Sequence, residues 1–161
     1  MEHEEWKDIY EIFYKPMLLY ALSLTKNMQD AEDLIQETFI KAFLSYERTG
    51  NLKCWLITVL KHEYFNLYRK QKREILSDKI SITEEKHEDY LDEFIRNEER
   101  KLLFQEIQKL PMREKEILME SIYFHLSDQE IAGMHKVSND NVRKIRSRAK
   151  RKLMKRLEGE S

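Results

Sequence analysis

The hydrophobic positions of this chain recur with a helical period along most of its length, most clearly in "DAEDLIQETFIKAF", residues 30–43. At about 100° per residue, Ala31, Leu34, Ile35, Phe39, Ala42 and Phe43 fill roughly half of the helical wheel. That half suits a core, and Asp30 stands where a cap would open the helix. Asp33, Gln36, Glu37 and Ile40 follow at i, i+3, i+4 and i+7 and make a second stripe on the opposite side. An isoleucine inside an acidic stripe has two readings: a solvated face with one stray apolar residue, or a docking face for a partner.

The same period organises the rest of the chain. Residues 6–26 predict one amphipathic helix or two, with Trp6, Ile9, Tyr10, Phe13, Leu18, Ala21, Leu22 and Leu24 for the core and Pro16 as a point of kinking or division. "TKNMQD" is a turn, after which the opening helix is expected to run to about Tyr46. "ERTGNLKC" reads as a loop with Gly50 supplying an unusual backbone angle. "WLITVLKHEYFNLYRKQKR" then resumes the helical pattern from Trp55 to about Arg73. Residues 74–91 are polar, acidic and without period, and read as a linker. A helical pattern returns near Tyr90 through "FIRNEERKLLFQEIQKL", and Pro111 is expected in the first turn of the next helix.

Ser127 and Glu130 in "SDQE" form a capping box that opens a short helix carrying Ile131 and Ala132. After "VSND", where Ser138 or Asn139 can cap, comes "NVRKIRSRAKRKLMKRL", with Val142, Ile145, Ala149 and Leu153 inward and a face that is almost all Arg and Lys. Two helices joined by so short a turn make a helix-turn-helix. The expected fold class is all-α, with two small helical domains (1–73 and 92–161) joined by an acidic linker (74–91), the second a helix-turn-helix.

Composition agrees with that picture. The 161 residues suffice for one ordinary domain or two small ones, and only three Gly and two Pro leave few places where helices must break. The longest uncharged run, "PMLLYALSLT", is too short to span a bilayer, the acidic amino terminus is unlike a signal peptide, and the lone Cys54 permits no internal disulfide. A soluble, cytoplasmic protein is expected. The net charge of −1 conceals segregation. Nine Lys and Arg stand against one Asp between Ser138 and Leu157, five basic residues against Glu63 between Lys61 and Arg73, and ten acidic against three basic between Glu74 and Glu99. Two basic patches separated by an acidic stretch suggest two nucleic-acid-facing modules and a connector repelled from the same polyanion.

The first patch sets Thr58, Lys61, His62, Phe65 and Arg69 along one side of a helix. A ring among cations and hydrogen-bonding groups suits unpaired DNA, where rings stack on bases and cations follow phosphates. The alternative puts Phe65 in the core and leaves the others solvated. The basic helix at the end could instead lie on a membrane or be a solvated face; the capped helix before it favours duplex DNA. The five His are scattered, and His62 with Cys54 makes no ligand set, so no catalytic, metal or cofactor site is expected.

Three segments, in this order and spacing, resemble the extracytoplasmic-function (ECF) sigma factors, short two-domain members of the sigma-70 family of bacterial RNA polymerase. "DAEDLIQETFIKAF" resembles the family's most recognisable segment. "LKCWLITVLKHEYFNLYRKQKR" is similar to its minus-10 helix, and "LPMREKEILMESIYFHLSDQEIAGMHKVSNDNVRKIRSRAKRKL" to its minus-35 helix-turn-helix. The resemblance implies promoter-specific transcription initiation, with core RNA polymerase, promoter DNA and an anti-sigma factor as partners, and with no cofactor, small-molecule substrate or membrane insertion. It assigns Asp33, Gln36 and Glu37 to polar contacts with the clamp helices of the polymerase's largest catalytic subunit, with Ile40 as the apolar contact. It assigns the melted minus-10 element to Thr58, Lys61, His62, Phe65, Asn66 and Arg69, with Lys53 from the preceding loop. It gives base contacts at minus-35 to Arg143, Lys144, Ser147 and Arg148, and phosphate contacts to Asn139, Asn141, Lys150 and Arg151. His62 replaces the usual asparagine, Lys136 and His125 replace turn glycines, and Ile145 stands one step before the usual leucine, which leaves base preference open. Two other functions compete. A sigma-like decoy that sequesters an anti-sigma factor has no use for the nine basic residues, and an ordinary helix-turn-helix regulator has none for the Asp33–Ile40 face.

Overall fold

The structure, a computed structural model, describes residues 3–47, 50–78, 91 and 95–159. Among the described residues there are seven helices and no strand: α1 (His3–Thr25), α2 (Met28–Ser45), α3 (Leu52–Asp78), α4 (Glu98–Ile107), α5 (Met112–Tyr123), α6 (Asp128–His135) and α7 (Asn139–Leu157). The chain divides into two compact units, Met1–Asp89 and Tyr90–Ser161.

In the first unit α1 is a single helix that passes through Pro16 without dividing. From Met17 to Leu24 every residue is buried, as in a helix hydrophobic all round and packed on several sides. Its one polar member in that run, Ser23, is satisfied by donating to the Tyr20 carbonyl at 2.6 Å. Ile9, Tyr10 and Phe13 are only half-buried, while Trp6 is covered.

α2 is capped by Asn27 rather than Asp30: the Asn27 side chain accepts the Asp30 N–H at 3.0 Å. A cap must precede the first helical residue, and the helix begins at Met28, three residues earlier than an Asp30 cap allows. Asp30 instead accepts from the Gln71 amide at 3.1 Å, tying α2 to α3. Ala31, Leu34, Ile35, Phe39 and Ala42 are buried as expected, but Phe43, placed inward on the wheel, is 49% exposed. Thr38 takes the inward place, its hydroxyl donating to the Leu34 carbonyl at 2.7 Å so that a polar group can sit in the core.

α3 starts at Leu52, ahead of the expected Trp55, because the Asn51 side chain accepts the Cys54 N–H and caps it. It continues to Asp78, so the first residues of the expected linker are helical, and 79–90 lie outside the described residues. Gly50 does not have the unusual angle assigned to it; Gly159 is the described glycine with positive φ. Arg48 and Thr49 of the same loop are outside the described residues. Across that loop the Tyr46 hydroxyl donates to the Gly50 carbonyl at 2.8 Å.

The second unit buries Phe104 and Ile107 of α4, Ile117, Leu118 and Met119 of α5, Ile131 and Ala132 of α6, and Val142, Ile145, Ala149 and Leu153 of α7. Pro111 is the residue before α5 rather than within its first turn, accepting the Lys115 N–H at 2.9 Å. The Ser127–Glu130 capping box is complete, and Ser138, not Asn139, caps α7 by accepting the Asn141 N–H at 3.1 Å. Burial pushes the Tyr123 phenol, edge-on to Phe104, up to about 12.

Three helix ends carry side chains where a glycine would be at ease, at Lys26, His125 and Lys136. His125 and Lys136 both have φ 56°, in the left-handed region. After each, a backbone N–H closes a helix-ending turn, Leu126 to the Glu120 carbonyl at 3.2 Å over seven residues and Val137 to the Ala132 carbonyl at 3.1 Å over six. A Cβ in that region costs about 1–2 kcal/mol, partly offset by the lower entropy of the unfolded chain. Lys136→Gly, which deletes an exposed side chain, is therefore expected to stabilise the second unit by about 0.5–1 kcal/mol. Urea unfolding followed by circular dichroism checks this; an unchanged or lowered midpoint would show that the Lys136 side chain contributes more than its backbone costs.

Candidate nucleic-acid and partner interfaces

Burial of the α2 stripe leaves Asp33, Gln36, Glu37 and Ile40 together on the outer face, all exposed, with Ile40 at 51%. Gln36 and Ile40 also border an open groove of ≈ 470 Å³ between α1 and α2, floored by Trp6, Tyr10 and Phe39 and flanked by Phe43 and Leu44. Phe43 stands at the edge of the apolar stripe, its ring edge-on to Trp6 at 6.1 Å, which is why it escapes the core. The face is thus continuous with more apolar surface than Ile40 alone.

On α3, Thr58, His62, Phe65, Asn66 and Arg69 are exposed and Lys61 is half-buried. Phe65 is 53% exposed, which removes the reading that places it in the core. The Thr58 hydroxyl donates to the Cys54 carbonyl at 2.7 Å, Lys61 Nζ stands 5.9 Å from the Tyr20 ring centroid, and the Arg69 guanidinium donates to Asn66 Oδ1 at 3.0 Å. Lys53 sits in the first turn of α3, half-buried, rather than in the loop. The half-buried ring of Trp55 is edge-on to Tyr46 at 5.3 Å, so it anchors the start of α3.

On α7, Asn139, Asn141, Arg143, Lys144, Ser147, Arg148, Lys150 and Arg151 are all exposed. Two of the nine basic residues have internal work instead. Arg146 donates to Asp128 of α6 at 3.0 Å, and Lys152 to both oxygens of Glu114 of α5 at 2.9 and 3.0 Å. These acids lie far back in sequence, so charge counting along α7 alone could not find them. Arg143 also donates to Asp140 at 2.8 Å, but both side chains are largely exposed, and such a pair holds weakly enough to be exchanged for another anion.

One histidine is less isolated in space than in sequence. His135 Nε2 lies 2.8 Å from Oε1 of Glu120, which is fully buried, and its Nδ1 lies 4.0 Å from Glu116. The ligand atoms of these three residues fall within 4.8 Å of one another, a grouping that could hold a metal ion. The direct Nε2–carboxylate separation is that of a hydrogen bond, and the pair braces α6 against α5.

The sequence matches the family described as Sigma-70 region 2 over residues 9–74 and that described as Sigma-70, region 4 over residues 100–153. It is 29% identical to the RNA polymerase sigma factor YlaC of Bacillus subtilis, across 98% of this chain and 95% of that one. A shorter stretch, 45% of this chain and 47% of the relative, is 35% identical to the ECF RNA polymerase sigma factor SigM of the same organism. The fold is shared with the sigma factor RpoE from Bartonella quintana, solved in complex with the anti-sigma factor NepR, at TM-score 0.71 and 23% identity, covering 96% and 98% of the two chains. It is also shared with CnrH, solved with the cytosolic domain of CnrY, at TM-score 0.68 and 17% identity, covering 99% and 92%.

Removing one partner from a buried pair strands the other. Glu120→Ala is expected to destabilise the second unit by about 3 kcal/mol, and the double replacement Glu120→Leu with His135→Leu to restore most of that loss. Equilibrium unfolding of the three chains decides the matter; a mild single variant with a damaged double would mean the brace is not held by this pair.

Proposed function

This chain belongs to the sigma-70 family of RNA polymerase sigma factors, in its ECF branch, and from that premise we propose how its surfaces divide the work of promoter-specific initiation. Asp33, Gln36, Glu37 and Ile40 hold core polymerase. Charged groups orient the partner and the half-exposed isoleucine supplies burial, the combination that specific interfaces use. The outer side of α3, with Lys53, Thr58, Lys61, His62, Phe65, Asn66 and Arg69, captures the opened minus-10 element. Its exposed ring offers a stacking partner and its cations a track for phosphates.

α7 enters the major groove of the minus-35 element by its amino-terminal turns. Arg143, Lys144, Ser147 and Arg148 read base edges, while Asn139, Asn141, Lys150 and Arg151 hold phosphates. The working modules are residues 1–73 and 92–161, with 74–91 as an acidic connector. The protein acts by binding alone, without catalysis, in the cytoplasm; among the described residues no helix is long and apolar enough to cross a membrane. An anti-sigma protein restrains it, a reading supported by the fold neighbour RpoE, a sigma factor solved in complex with the anti-sigma factor NepR. The observation that carries the whole is that one chain matches both region 2 and region 4 while keeping exposed the face each needs. The decoy reading is disfavoured by the eight exposed polar and basic residues retained on α7.

Core polymerase supplied with this protein is expected to initiate at defined sites in a genomic promoter library and to start none of them without it. Absence of stimulated starts anywhere in the library would remove the assignment. Arg148→Ala is expected to lower discrimination at minus-35 by about 1–3 kcal/mol with polymerase affinity unchanged, and Asp33→Lys with Glu37→Lys to weaken polymerase binding first. Holoenzyme binding to the promoter should weaken steeply with salt. Lys150→Ala and Arg151→Ala should each flatten the slope of log K against log salt by about one, so an unaltered slope would take those side chains off the phosphates.

A further inference from the structure

On α3 the aromatic surface does not end with Phe65. The ring of half-buried Tyr64 lies 5.6 Å from that of Phe65 and 6.3 Å from that of Tyr68, the latter pair tilted by only 37°. Tyr68 is 51% exposed and Phe65 53%. One exposed ring needs no explanation, but three rings in contact along one helix flank form a patch. Four residues of helix rise cover about 6 Å, close to the height of two stacked bases.

The charge around this flank points to its occupant. Lys61 precedes the rings and Lys72 follows one turn beyond Tyr68, both close to them on the helical wheel. The acid between Lys61 and Arg73, Glu63, projects from roughly the opposite side, where it pairs with Lys41. Burial and the neighbouring Tyr68 push the Tyr64 phenol above its ordinary value. Rings between cations fit a strand whose bases are unstacked and whose phosphates follow alongside.

We propose that Tyr68, supported by Tyr64, extends the Phe65 surface into a stacking ledge that takes a second unpaired base of the opened strand, with Lys61 and Lys72 beside its phosphates. This rests on the proposal that the outer side of α3 meets melted DNA, and it adds a ring contact to that site.

The test uses holoenzyme assembled with the full chain. Affinity for a single-stranded oligonucleotide spanning the non-template minus-10 element is measured together with the lifetime of promoter complexes after heparin challenge. A lost base–ring stack corresponds to about a fivefold or larger effect. Tyr68→Ala is expected to weaken oligonucleotide binding at least fivefold and to shorten the lifetime similarly, with polymerase affinity unchanged. Tyr68→Phe, which keeps the ring, should behave like the parent. If Tyr68→Ala binds and persists like the parent while Phe65→Ala is impaired, the ledge is wrong and the wider reading of α3 stands. If Tyr68→Phe loses as much as Tyr68→Ala, the hydroxyl rather than the ring makes the contact and the stacking proposal is overturned. If the parent holoenzyme binds no single strand, the reading of α3 fails with it.

Discussion

A helix that buries one apolar stripe has no freedom left to rotate about its own axis, and each surface described above depends on that constraint. Ala31, Leu34, Ile35, Thr38, Phe39 and Ala42 are buried on α2, and a period of about 3.6 residues then forces Asp33, Gln36, Glu37 and Ile40 outward. Val142, Ile145, Ala149 and Leu153 do the same for α7, turning its exposed arginines and lysines away from the core. The functional faces are what remains once the cores are satisfied. A polar substitution at Ile35 or Ile145 would therefore disturb binding without touching a partner, because it would loosen the rotation of the helix that presents the binding residues.

Rotation fixes which way a face points; caps and buried ion pairs fix where its helix begins and how firmly it is held. Ser138 sets the first turn of α7, and with it which residues can lead into a groove. Arg146 and Lys152, lying toward the buried side, reach Asp128 and Glu114 on two other helices, so α7 is held to both α6 and α5 by charge as well as by packing. The His135–Glu120 pair closes the remaining side of that triangle. The basic count of α7 therefore has two meanings, with some cations spent inside the unit and the rest facing solvent. Arg146 pairs with Asp128 while Ile145 before it stays in the buried stripe, so the helix keeps its inward register at this step and adds an ion pair beside it.

Periodicity carried the helices, the helix-turn-helix with its capping box, and the identity of the outward faces, because those features are local or follow from a single repeat. Three of the failures share a cause, which is that they turn on contacts made at a distance in sequence. Asp30 looks like a cap until Gln71 of α3 claims its carboxylate and Asn27 does the capping. Phe43 looks inward until Trp6 of α1 turns out to take it edge-on. His135 looks isolated until α5 brings Glu120 to it. Residue type alone suggests a special backbone at Gly50, whereas the left-handed angles fall on Lys26, His125 and Lys136, where helix ends demand them whatever the residue. At two of these, His125 and Lys136, the departure from the family's glycines was visible beforehand, and its physical meaning is a strained turn in each case.

The two faces proposed to meet DNA differ in composition in a way that matches the state of DNA each would meet. α7 offers guanidinium, ammonium and amide groups on its exposed first turns, with no exposed ring among Asn139 to Arg151. A closed duplex hides the faces of its bases and presents edges and phosphates, so rings would find nothing to stack on there. α3 carries Phe65 and Tyr68 exposed among Lys61, His62 and Arg69. Base faces become available only when strands part, so rings on this helix would bind the opened state and not the closed one, while its cations would bind both. A surface of that kind favours opening by its differential affinity alone, since a ligand shifts an equilibrium only by as much as it prefers one state. The cations of α7 would locate the promoter without pulling it open, and the rings of α3 would supply the preference for separated strands.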